Sequence, residues 1–236
     1  MTVDIHWFDD NASLAPALAA AVAADLRKGL ESRSRVSLAV SGGRSPVPVF
    51  EALRQEVLDW SRVVVTLVDE RWVPETDPAS NAALVKAHLL RDHAAQAGFI
   101  PLYTGEVTAR LAESTLAESF GQVPQPFSAL ILGMGDDGHT ASLFPASPYL
   151  EAGLAVEGSV SDTLPCLAQV GAAAPTERMS LTLPWILAAQ TIYLQFGGAS
   201  KVEVFKRASI GPDRQYPVSF VLNQTQTPVR VFAART

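Results

Sequence analysis

The chain has 236 residues, 48% of them hydrophobic and 18% charged, and its 24 acidic and 18 basic residues give a formal charge of -6. That length supports a large buried core, which sets aside intrinsic disorder, and an acidic balance without a Lys/Arg cluster argues against a nucleic-acid surface. The single cysteine, Cys166, excludes an internal disulfide framework and reads as a small buried hydrophobe in a protein of a reducing compartment.

The opening "MTVDIHWFDD" places acids where a secretory signal carries positive charge, so a cytoplasmic location is expected. A first strand is expected from about Asp4. The uncharged stretch from Asn11 to Ala24 contains Pro16 and is shorter than the ~20 residues of a membrane span. It reads instead as an amphipathic helix, with Leu14, Leu18, Val22, Leu26 and Leu30 on one stripe. "VSLAV" (36–40) then predicts a buried strand ending at "SGG", and Ser45 with Pro46 predicts a capped helix start. "VVVTLV" (63–68) is the next strand, followed by a long loop and a helix from about Asn81 to Arg91. "FSALIL" (127–132) is another apolar run without alternation, as in a parallel sheet covered on both faces. Residues 146–160, "ASPYLEAGLAVEGSV", read as an edge hairpin or a small subsidiary sheet. "RMSLTL" (178–183) and "TIYLQF" (191–196) predict strands, "SKVEVFKRA" (200–208) a helix, and "PVRVFAA" (228–234) a closing strand. The expectation is one α/β layered domain over residues 1–236.

The charged and glycine-rich segments fall at strand ends, where open α/β sheets bind ligands. "SGGRSP" (41–46) is either a plain tight turn or an anion cradle of backbone N–H groups at a helix start. In "VDERWVPETDPASN", Arg71 either forks onto an anionic ligand or pairs with a neighbouring acid; Asn81 is a helix-start residue or a ligand contact. Arg178 and Lys201 read singly as solvated charges, and together with "SGGRSP" as the remainder of a phosphate pocket.

The segment "GMGDDGHTASLFP" (133–145) contains G-x-G-x-x-G after an apolar run, the dinucleotide fingerprint. Two aspartates would repel a pyrophosphate there, and Pro145 and Pro148 would interrupt the helix that must begin at the third glycine. The alternative is a sharp turn at Gly138 that brings Asp137 and His139 together, with His139 exchanging a proton and Asp137 fixing its tautomer. His6, His88 and His93 lack the spacing of metal ligands, so no metal site is expected.

"SGGRSP", "DERWVPETDPASN", "LGMGDDGHTASLFP", "RMSLTLP" and "GGASK", in that order and spacing, resemble the 6-phosphogluconolactonases, relatives of the glucosamine-6-phosphate isomerase/deaminases. The resemblance covers nearly the whole chain. It implies a Rossmann-like layered sandwich with a mainly parallel central sheet and a small additional β region. The implied reaction is hydrolysis of 6-phospho-D-glucono-1,5-lactone to 6-phosphogluconate, in the oxidative pentose phosphate pathway, without metal or organic cofactor. The partner would then be a small sugar-phosphate lactone, with neither nucleic acid nor membrane involved. By this resemblance Ser41, Gly42, Gly43, Arg178 and Lys201 hold the phosphate and Arg71 contacts the substrate; Asp69 matches an acid of the deaminases and, without its companion Glu, either shapes the site or, like Asn81, contacts the substrate. His139 is the general base and Asp137 orients it. The deaminase relatives carry a Glu five residues after the loop histidine, where this chain has Phe144, which favours hydrolysis over deamination. A sugar-phosphate-sensing regulator of the same general fold should carry a helix-turn-helix ahead of the sensor, and a first strand at about Asp4 leaves no room for one.

Overall fold

The structure is a computed structural model that describes residues 3–235. Ten strands are present among them: β1 (Asp4–Phe8), β2 (Val36–Val40), β3 (Val63–Leu67), β4 (Asp69–Arg71), β5 (Gly98–Ile100), β6 (Ala129–Gly133), β7 (Cys166–Val170), β8 (Glu177–Leu181), β9 (Ile192–Gly197) and β10 (Val229–Ala234). The α-helices are α1 (Asn11–Ser32), α2 (Val47–Leu53), α3 (Asn81–His88), α4 (Glu113–Phe120), α5 (Leu150–Leu154), α6 (Leu183–Leu187), α7 (Ala199–Ala208) and α8 (Ser219–Leu222).

Seven strands form a central sheet in the order β1-β10-β9-β6-β2-β3-β5, every neighbouring pair parallel. β4, β8 and β7 form a small antiparallel sheet. The α/β sandwich with an added β region is therefore the fold observed. β2 and β3 are buried at every residue, as their unbroken Val/Leu/Ala runs require of strands covered on both faces.

The helical stripe of α1 behaves as its spacing predicts. Leu14, Leu18, Val22 and Leu26 are fully buried, and Leu30 packs partly buried against the same core. Each such leucine contributes about 1.5–3 kcal/mol by leaving water. Asp10 ends the run on the N-terminal side, its carboxylate accepting from Ser13 N at 2.8 Å.

Three local expectations are corrected. Ser45 does not cap a helix: α2 starts at Val47 with Pro46 at its cap, and the Ser45 carbonyl accepts from Gln195 Nε2 at 3.0 Å. The segment 146–160 forms α5 and turns rather than a hairpin, and the small sheet is built by β4, β7 and β8 instead. The helix after Ser80 stops at His88, short of Arg91. Cys166 is fully buried in β7, as its composition suggests. No helix among the described residues is long and apolar enough to cross a membrane.

The topology itself marks a ligand position. From β2 the chain runs outward to β3 and β5, then returns to the other side of β2 as β6 before continuing to β9 and β10, which pairs with the first strand, β1. The order reverses between β2 and β6, so the loops leaving their carboxyl ends diverge and open a crevice. Those loops are the segments beginning at Ser41 and Met134.

Candidate active site

β6 ends at Gly133, and the turn after it is closed by Gly135 N donating to His139 O (2.9 Å) and Gly138 N donating to Gly135 O (3.1 Å). Gly138 has φ +77°, a left-handed conformation that side-chain-bearing residues rarely adopt. At Gly135 a Cβ would sit 2.2 Å from the imidazole of His139, so glycine is what lets the histidine fold back. His139 Nδ1 then lies 2.5 Å from Asp137 Oδ1, and His139 N donates to the same oxygen at 3.1 Å. Burial pushes the Asp137 carboxyl up, but the hydrogen bond and charge of His139 outweigh it and hold the group below its ordinary value. The ring of Phe144 lies 4.3 Å from the imidazole, centroid to centroid. No helix starts at the third glycine, and the next one begins only at Leu150. The dinucleotide fingerprint is thus a coincidence of spacing.

Beyond His139 the loop is anchored from below. Thr140 Oγ1 donates to Gly133 O at 2.8 Å, and Ser142 N donates to Ser180 Oγ at 3.1 Å. Ser142 Oγ donates to Asp69 Oδ2 at 2.6 Å, which ties the loop to β4.

The loop after β2 supplies the opposite wall. Ser41 N donates to Ile131 O at 3.1 Å, continuing the β2/β6 pairing into the crevice. Gly43 has φ +90° with open space where a side chain would stand. Gly42 is packed against Asn81: a Cβ there would meet Asn81 Oδ1 at 1.9 Å. Asn81 is 2% exposed, and its amide donates to Asp69 O at 2.9 Å, so it supports the glycine loop from beneath.

Glu70, which carries no role in the sequence beyond its place in the strand-end charge cluster, organises this corner. It is fully buried and accepts from Arg71 N (2.8 Å), Asn81 N (2.7 Å) and Ala82 N (2.8 Å), joining β4 to the first turn of α3. Burial raises its carboxyl above the usual range, those backbone donors pull the other way, and the charge of Asp69 adds to the rise. Arg71 and Arg178 face each other in the β4/β8 ladder. Neither forms an ion pair among the described residues; Arg71 Nη1 donates to Ala79 O (2.7 Å) and Arg178 Nη2 to Ala173 O (3.2 Å). Burial first, and then the charge of Arg71, hold the Arg178 guanidinium below its usual value. Two like charges held side by side without a carboxylate partner suit an anionic ligand.

These elements enclose a cleft of ≈ 350 Å³. Of the residues singled out in the sequence, Ser41, Gly42, Gly43, Asp69, Arg71, His139 and Lys201 line it. Asp137, Asn81 and Arg178 do not: Asp137 lies beside His139, Asn81 behind Gly42, and Arg178 beside Arg71 with 6% exposure. Arg44, Asp136 and Gln195 also line the cleft without having been singled out. Arg44 lay inside the quoted "SGGRSP", whereas Gln195, inside an apolar strand, carried no sequence signal. Lys201 stands in the first turn of α7, and Ser200 beside it donates to Asp136 Oδ1 at 2.8 Å. Of the other histidines, His6 pairs with Asp4 (2.8 Å) and His88 with Glu51 (3.1 Å), away from this cleft. Among the described residues no group of three or more His, Cys, Asp or Glu is gathered to hold a metal ion.

Comparison with known proteins points to one family. The profile for glucosamine-6-phosphate isomerases/6-phosphogluconolactonase matches residues 9–230. A 6-phosphogluconolactonase of Pseudomonas aeruginosa is 43% identical over 226 residues, covering 95% of this chain and 93% of its own. One from Neisseria meningitidis serogroup B is 39% identical over 97% of this chain and 98% of its own. The crystal structure of a 6-phosphogluconolactonase from Shewanella baltica superposes with a TM-score of 0.92 at 38% identity, over 99% of this chain and 98% of that one.

Proposed function

The chain belongs to the glucosamine-6-phosphate isomerase/6-phosphogluconolactonase family, and on that premise we propose that it hydrolyses 6-phospho-D-glucono-1,5-lactone to 6-phospho-D-gluconate with His139 as general base. The observation that carries this reading is one cleft in which a carboxylate-oriented imidazole shares a wall space with a glycine loop and the cations Arg71 and Lys201. Relatives named for this activity along nearly their whole length support it.

The geometry supports the following chemistry. With Nδ1–H donated to Asp137, the neutral imidazole keeps Nε2 free to take a proton from water. The hydroxide so formed adds to the lactone carbonyl carbon, and the carbon–ring-oxygen bond breaks as the imidazolium returns its proton to the departing oxygen. Asp137, held ionised by His139, stabilises the imidazolium between these steps. The substrate phosphate is held by backbone N–H groups at Gly42 and Gly43, by the Ser41 hydroxyl, and by Lys201 and Arg71. Arg178 adds positive potential from beside Arg71. Phe144 against His139 places an apolar ring, not a third acid, beside the base, which suits water attack and leaves a sugar-opening deaminase without that group. The pathway is then the oxidative pentose phosphate route, and a cytoplasmic location accords with its sugar-phosphate substrate.

The test must outrun spontaneous hydrolysis. The lactone is generated in situ from glucose 6-phosphate by its dehydrogenase, and acid release is followed with and without the protein. Acceleration is expected; none, together with ammonia release from glucosamine 6-phosphate, moves the chain to the deaminase branch.

A further inference from the structure

Gly43, Gly105 and Gly198 also have positive φ, and each has open space where a side chain would stand. Gly138 differs from them. A Cβ there would come within 2.6 Å of Tyr216 Cδ1 and 2.9 Å of Tyr216 Cα, so the turn bearing Asp137 and His139 is pressed against another segment. The Gly138 carbonyl also accepts from Val218 N at 3.0 Å.

That segment, between α7 and α8, is itself fixed. Tyr216 N donates to Asp213 O (3.0 Å), Ser219 N to Tyr216 O (2.7 Å), and Asp213 N to the fully buried Ser219 Oγ (2.7 Å). The Tyr216 hydroxyl only accepts from Arg207 Nη1, at 3.4 Å near the outer limit of a hydrogen bond. Of the Tyr216 atoms against Gly138, the ring carbon Cδ1 is the nearest, ahead of Cα and Cβ, so the ring stands foremost against the turn. A turn hinged on a glycine has no steric stop of its own, and here the stop comes from outside.

We propose that Tyr216 is a positioning residue for the reaction: its ring backs Gly138 and so keeps Asp137 and His139 in hydrogen-bonding register. The proposal rests on His139 being the general base. Misplacing a catalytic group by about 1 Å costs on the order of a hundredfold in rate. Y216A and Y216L should thus lower kcat about 10- to 100-fold with KM little changed, because the phosphate contacts lie on other elements. Y216F, which keeps the ring, should restore kcat.

An activity-independent signal accompanies the kinetics. The imidazole ¹⁵N shifts of His139 report the bond from Nδ1 to Asp137, and they should move in Y216L and stay at their wild-type values in Y216F. Thermal unfolding checks that each variant is folded; if Y216A is not, Y216L carries the test. Full kcat in folded Y216L, or Y216F as slow as Y216L, overturns the proposal. A wild type without lactonase activity refutes the functional reading, whereas unmoved imidazole signals in folded Y216L refute the positioning role whatever the activity.

Discussion

His139 Nδ1 lies 2.5 Å from Asp137 Oδ1, with one glycine between the two residues in the chain. A carboxylate oxygen can only accept, so the bond puts the proton on Nδ1 and leaves Nε2 for the proposed action on water. H139A should lower kcat by about 10²–10⁴ while leaving the fold intact, since the side chain is partly exposed and its ring contact is with Phe144 alone among the described residues. D137N keeps the shape but presents a neutral partner to the imidazolium, so it too should act on kcat more than on KM. Both are read in the in-situ lactone assay with circular dichroism as the fold check; near-wild-type turnover in H139A removes His139 from the base role.

The same pair has a pH signature in stability. Asp137 is held below its ordinary value in the folded state by His139, so it binds fewer protons folded than unfolded around that value. Its contribution is present above the unfolded aspartate range of about 4 and is lost as pH falls through the lower folded value. The side chain is 42% exposed, so solvent screens the effect and keeps it modest. Chemical denaturation from neutral to acid pH should show wild type losing stability over that window and D137N losing less of it. Equal acid sensitivity in the two would mean the pair gives the fold nothing.

What the sequence disclosed depended on the range of the interaction. The Asp137–Gly138–His139 turn was legible because all its parts lie within a few residues and a φ of +77° is what glycine is for. The alternation of apolar runs and helical stripes was legible for the same reason. The Ser45 cap misled by one position: α2 starts at Val47 with Pro46 at its cap, and the Ser45 carbonyl is engaged by Gln195, 150 residues away along the chain. The hairpin reading of 146–160 likewise took Gly and Pro as strand punctuation, where Pro148 precedes a short helix and Gly153 lies inside it. Glu70 was seen only as part of a strand-end charge cluster and Tyr216 not at all: the contacts of each are with partners distant in sequence, Glu70 with α3 and Tyr216 with Gly138.

Glu70 yields a prediction against intuition. Glu70 makes no ion pair among the described residues, and Gln has nearly the same shape. Here, however, both carboxylate oxygens are acceptors: Oε1 takes Arg71 N and Asn81 N, and Oε2 takes Ala82 N and Ser80 Oγ. A Gln amide would turn two donors toward donors. E70Q should cost about 1–3 kcal/mol for the backbone group left unsatisfied, seen as a lowered midpoint in urea. It should also raise KM, because β4 carries Arg71 into the cleft. An unchanged midpoint would show that α3 and β4 are held together by packing alone.

Lys201 tests the phosphate end separately from the chemistry. It lines the cleft and makes no ion pair among the described residues. Losing one charged hydrogen bond of about 1.5–3 kcal/mol raises KM roughly 10- to 100-fold in K201A, with kcat much less affected. Inorganic phosphate should raise the melting temperature of wild type and not of K201A. Equal protection of both proteins by phosphate would place the anion elsewhere.

Gly42 and Asn81 give the most demanding test of how the glycine loop is built. A methyl at position 42 would come 1.9 Å from Asn81 Oδ1 and 2.1 Å from Asn81 Cγ, far inside contact distance. Asn81 has little freedom to retreat, because its amide is bound to Asp69 O at 2.9 Å and its backbone N–H to Glu70. G42A should therefore cost about 1–3 kcal/mol of overpacking and raise KM by displacing the loop. N81A alone leaves Asp69 O without its donor, a cost of about 1–3 kcal/mol. In the double variant the alanine methyl at 42 occupies space the amide has vacated, so the two costs should fall short of their sum by about 0.5–3 kcal/mol. Denaturant midpoints of the four proteins close the cycle. Strict additivity would mean that the loop relaxes away from Asn81, and Asn81 would lose its role as the support beneath the proposed phosphate cradle.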